Sequence, residues 1–183
     1  DYDFALNLKV YLQGAALNPT IGEETLMRDD LRVAGLIPIR SPYDNADSAP
    51  TAFDATGNDA IVDWVWVELR DKNDPTIVVE AISALLQRDG DIVGRDGQGT
   101  LFFTMEDNTY YIAVHHRNHL AIMSNTAFTF NATNSVDFTT SNAMITFGSN
   151  AQTTSGMPAG VAAMWCGNAN DDISVQYSGT SPD

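Results

Sequence analysis

The chain has 183 residues, a formal net charge of −15 and a single cysteine. That length suits one domain of ordinary size, able to bury roughly 70% of its unfolded surface without a disulfide or metal staple. The acidic surface repels phosphate backbones and anionic lipid, which excludes nucleic acid and membrane surfaces as partners.

Residues 4–13 alternate, with Phe4, Leu6, Leu8, Val10 and Leu12 on one side and Asn7, Lys9, Tyr11 and Gln13 on the other. This is the pattern of a half-buried strand. Five apolar side chains so near the N-terminus suit either the domain's own first strand or an arm that completes a neighbour's sheet by strand addition. Residues 23–34 carry the one expected helix, with Leu26, Met27, Leu31 and Ala34 on a stripe and Gly35 as its stop. A short strand is expected at 36–39, and residues 41–60, rich in Ser, Pro, Asp and Asn, read as a long loop.

Residues 61–70 form the clearest strand, with Val65, Val67 and Leu69 on one face and Trp64, Trp66, Glu68 and Arg70 on the other. Two tryptophans on one face either stack against sugar rings or fill a second face covered by the 41–60 loop. Asp71, Asn73 and Asp74 before Pro75 make a turn, or a calcium clip. Residues 77–88 and 91–93 pair around Asp89-Gly90 as a hairpin. Further strands are expected near 100–104, 109–117, 126–130, 135–138, 143–147 and 161–165. Short strands at this spacing predict an all-β fold, an antiparallel Ig-like β-sandwich with one short helix. The sandwich spans residues 1–166, and residues 167–183 form a loop-rich appendage.

All three histidines fall in His115-His116-Arg117-Asn118-His119. On a strand, His115, Arg117 and His119 would share one side, and His116 and Asn118 the other. An arginine between histidines makes a poor cation site, so the segment either pins loops by hydrogen bonds or forms a recognition surface using His116, Arg117 and His119. Cys166, beside Trp165, reads as a small buried hydrophobe.

At the C-terminal end Asn168, Asn170 and Asp172 alternate, as ligands one, three and five of an EF-hand-type loop do, and Val175 stands at the hydrophobic anchor. Asn168 replaces the usual first acid and Ile173 the usual glycine, which lowers the expected affinity. Calcium is the one cofactor this pattern suggests. No nucleophile elbow, phosphate loop or His-Glu zinc motif occurs, so nothing argues for catalysis. The chain opens at Asp1 without Met, as a processed or trimmed product would.

Several phrases together resemble a family of secreted surface proteins of Bacteroidota. They are Lys9-Val10-Tyr11-Leu12-Gln13-Gly14, Gly35-Leu36-Ile37-Pro38-Ile39, Val62-Asp63-Trp64-Val65-Trp66-Val67-Glu68-Leu69-Arg70-Asp71 and His116-Arg117-Asn118-His119-Leu120. The ending Met164-Trp165-Cys166-Gly167-Asn168-Ala169-Asn170-Asp171-Asp172 is similar to that family's dockerin-like calcium module. The resemblance implies an adhesin-like or haemagglutinin-like exported protein in which Asn168, Asn170 and Asp172 inherit calcium-ligand positions. The expected function is therefore a non-catalytic, extracellular structural or adhesive protein of the cell surface. It would self-associate, or bind other surface proteins, and could form filaments by strand addition. The alternative is a carbohydrate-binding accessory module whose partners are glycans. The acidity fits a saline, calcium-containing exterior that screens self-repulsion.

Overall fold

Alternation drives the first strand as its sequence demands: Phe4, Leu6 and Leu8 of β1 (Tyr2–Lys9) are buried, and Val10 and Leu12 continue the buried row beyond it. The computed structural model describes residues 2–44, 46–105, 109–129, 133–140 and 146–168. Among these the strands that follow are β2 (Ile61–Asp71), β3 (Val78–Gln87), β4 (Asp91–Val93), β5 (Leu101–Met105), β6 (Thr109–His116), β7 (His119–Met123), β8 (Phe128–Thr129) and β9 (Asn134–Asp137). They hydrogen-bond in the order β5-β1-β4-β3-β2-β6-β7, with β8 on β6 and β9 on β1. Every pairing is antiparallel except β1 with β9. The fold is all-β and sandwich-like.

The two layers are halves of one hydrogen-bonded path that turns over at β4. This strand is only three residues long, yet Ile92 pairs with Leu8 on one side and Leu86 on the other. Beyond that corner, Leu6, Leu8 and Phe103 from one half meet Val65, Val67, Leu86 and Val114 from the other in a single buried core. The Asp89-Gly90 hairpin closes as expected: Gly90 takes a φ of +92°, and its carbonyl accepts the Val10 N–H at 2.9 Å.

A second, smaller core lies on the outer face of β2, β3 and β4. Trp64, Leu85 and Val93 meet Ile37, Ala49 and Ala52 from the loop above them. The long loop expected at 41–60 thus serves as a lid, with two short 3-10 turns at Ala52–Asp54 and Gly57–Asp59.

Helix is scarcer than the apolar stripe at 23–34 predicts. Only Asp30–Val33 is helical there (α2), and a second short helix, α1, spans Gln13–Ala16. Between residues 23 and 29 the backbone is committed elsewhere. Met27 N–H bonds to Arg88 and Arg28 N–H to Ala15, so a helical ladder cannot form through them. Leu31 and Val33 are exposed; of the stripe, Met27 alone is buried. The strand expected at 36–39 is likewise loop, tied by one bridge between Arg40 and Ser48. Near 161–165 isolated bridges replace a strand, and most of the expected 143–147 strand lies outside the described residues. No helix of the described residues is long and apolar enough to cross a membrane.

Candidate functional site

The histidine segment does not run straight. β6 ends at His116 and β7 begins at His119, so Arg117 and Asn118 form a tight turn and His116 pairs directly with His119. The expected grouping of His115 with Arg117 and His119 is thereby replaced. A register irregularity between Val114 and His116 and the chain reversal bring His116 and His119 together, with ring centroids 4.7 Å apart. His115 faces away, toward Glu68.

Hydrogen-bond accounting fixes the proton positions. Gly14 N–H donates to Nε2 of His119 at 3.2 Å, so that nitrogen holds the lone pair and Nδ1 the proton. His119 Nδ1–H then donates to Nδ1 of His116 at 2.9 Å, where Asn118 N–H also arrives at 3.2 Å. His116 Nε2–H is left to donate to Oδ2 of Asp63 at 3.1 Å. The same oxygen accepts from Nη2 of Arg117 at 2.7 Å, and Oδ1 accepts the Trp64 N–H at 2.8 Å. Burial, reinforced by His116, pushes the His119 imidazole down to about 3. An Asp-His-His chain therefore runs through the interior in its neutral-imidazole form and ends on a backbone amide. Sequence reasoning missed Asp63, although an acid inside an apolar strand was its available signal.

This chain borders a cavity of about 370 Å³, which Leu12, Leu31, Val62 and Cys166 also line. Arg28 closes one side, its guanidinium donating to the Gly14 carbonyl at 3.0 Å and pairing with Asp30. Cys166 is partly exposed and bridged to His119, so the expected fully buried thiol is instead a wall of the cavity.

On the outer face of β2, burial alone would raise the Glu68 carboxyl. The hydrogen bond and charge of His115, with Arg70 beside it, hold it down at about 2. The Glu68 carboxylate accepts from His115 Nε2 at 2.9 Å and Arg70 Nε at 2.8 Å.

The paired tryptophans part company. Trp64 is fully buried under Phe53, and its Nε1–H donates to the Pro38 carbonyl at 2.8 Å, so no ligand reaches it. Trp66 is half-buried, stacked on Tyr43 with centroids 6.0 Å apart, and borders an open groove of about 690 Å³. That groove runs between β3 and β5, with Asp44, Asp47, Arg95 and Gln98 on its rim.

Phe4, Leu6, Leu8, Val10 and Leu12 lie inside their own domain, and β1 is bonded on both edges, to β4 and β5 on one and β9 on the other. Asp71 Oδ1 caps its own turn, accepting the N–H groups of Asn73 and Asp74. Asn168 is buried, whereas Asn170 and Asp172 lie outside the described residues. Among the described residues no three His, Cys, Asp or Glu side chains group as a metal site would need. The chain matches no protein-family model, no curated protein and no solved structure.

Proposed function

We propose that this chain is a non-catalytic, extracellular structural or adhesive surface protein whose copies assemble by strand addition. One observation carries the reading. Ile77, just before β3, and Val78 and Val79 within it are 52%, 44% and 43% exposed, beside an edge that no strand covers over residues 78–84 among those described. An edge free of strand partners is a template for another chain; here Glu80 Oε1 accepts the Ala81 N–H at 3.3 Å, a contact that an incoming strand would displace. The resemblance to secreted surface proteins points the same way. The histidine chain fits a structural role too, because His119 Nε2 accepts a hydrogen bond from a backbone amide and so ties two segments together.

Light scattering coupled to size exclusion, with negative-stain imaging at physiological salt, tests this. Multimers or filaments are expected, and Val79→Lys should abolish them without moving the melting temperature. A wild-type chain that stays monomeric at every salt concentration would sink the reading.

A carbohydrate-binding role draws support from Trp66 on the groove rim, among side chains able to bond sugar hydroxyls. Glycan-array binding that vanishes with Trp66→Ala, at unchanged melting temperature, would favour that alternative.

A further inference from the structure

The open edge of β3 continues into the groove. β2 pairs with β3 along its length, but β4 meets its other edge only at Leu85 and Leu86. Across the gap stands β5, whose one strand neighbour among the described residues is β1. The groove therefore occupies the place of a missing strand. Ile82, Leu101 and the exposed Phe102 give it an apolar side, and Ser48, Thr51 and Gln98 a polar one.

We propose that this slot takes residues 173–178 of a second copy as an added strand, an inference that rests on the self-assembly reading above. The segment reads Ile-Ser-Val-Gln-Tyr-Ser, so one face is apolar and the other polar, as the two sides of the slot require. It carries no charge in a chain of net charge −15, so it brings no further repulsion to Asp44, Asp47 and Asp96 on the walls. Six extended residues span about 20 Å and the seven-residue free edge about 23 Å, a close match in length. β1, the other apolar alternating segment near a terminus, is already bonded on both edges within its own sheet.

The occupant is a second copy's segment, in keeping with the self-assembly reading above; a segment seated in its own chain's slot would leave the wild-type chain monomeric.

The test uses the full chain carrying Ile173→Asp and Val175→Asp, compared with wild type by sedimentation velocity, together with a synthetic peptide of residues 169–183. The double variant should be monomeric, with association weakened at least about tenfold and the melting temperature unchanged. Excess peptide should dissociate wild-type assemblies, and the same peptide with Val175→Asp should not. A double variant that assembles like wild type overturns the proposal while leaving self-assembly standing. A wild-type chain that never assembles overturns the self-assembly reading itself and this proposal with it.

Discussion

Gly14 and His119, 105 residues apart in sequence, are joined by a single hydrogen bond from the glycine amide to Nε2 of the imidazole, at 3.2 Å. That bond requires an unprotonated Nε2, and it ties α1 to the start of β7. The Cα of Gly14 approaches so closely that a Cβ there would lie 3.4 Å from Nε2. The interior is thus built around a neutral histidine, which makes the fold sensitive to acid.

The expected direction follows from linkage. His119 titrates near 6.5 when unfolded and at about 3 when folded, so the unfolded chain binds the proton first. Stability from this group is fully present above pH 6.5 and is lost as pH falls toward 3, by up to about 1.4 kcal/mol per pH unit. Glu68 adds to the loss only below its unfolded value of 4.5, and down to about 2. Thermal melts between pH 7 and 5 therefore leave the Glu68 contribution out. His119→Asn should lower stability at pH 7 and flatten the slope in that window. An unchanged slope would show that His119 does not carry the acid sensitivity.

Gly90 tests the β4 corner. Its φ of +92° disfavours any side chain, and a Cβ there would meet Tyr11 Cε1 at 2.9 Å and the Val10 carbonyl at 3.1 Å. The Tyr11 ring cannot easily yield, because its hydroxyl donates to the Thr25 carbonyl at 2.8 Å. Gly90→Ala should cost about 2–3 kcal/mol by urea denaturation. Gly35, with φ +68° and no neighbouring atom within 4 Å, supplies the control: Gly35→Ala should cost only about 1 kcal/mol.

What could be read in advance follows from the range of the interactions involved. Period-two alternation over 4–13 and 61–70 is a local signal, and β1 and β2 form where it lies. Gly90 marks its hairpin through its own backbone. The helix expected at 23–34 fails because Met27 is claimed by Arg88, 61 residues away, a partner that no local stripe reveals. The histidine segment holds its ring spacing in the sequence, but His116 and His119 meet only once the turn at Arg117 and Asn118 is placed, and Asp63 joins from 53 residues upstream. The groove was illegible for a related reason. It is a gap between β3 and β5, created by the shortness of β4, and no residue motif marks it.

The two tryptophans of β2 give a sharp contrast. Trp64 is fully buried and hydrogen-bonded to Pro38, so Trp64→Ala leaves both a cavity and an unpaired carbonyl. A loss of about 3–5 kcal/mol is expected by chemical denaturation. Trp66 is half-buried and stacked on Tyr43, and Trp66→Ala should cost about 1–2 kcal/mol. Equal losses would mean that the 41–60 loop does not cover Trp64 in solution.

Self-association through the β3 edge must overcome a charge of −15 on each copy. At 10 mM salt the screening length is about 30 Å, comparable to the molecule, and copies repel across their whole surfaces; at 150 mM it falls to about 8 Å. The interface proposed here is apolar and backbone-bonded, with no ion pairs to be weakened by salt. Association should therefore strengthen with ionic strength, by at least about tenfold between these two concentrations, as read by sedimentation velocity. Potassium chloride and sodium sulfate at matched ionic strength should act in the same direction. Weakening with added salt would place the contact at a charged surface instead, away from the uncharged segment and the exposed valines.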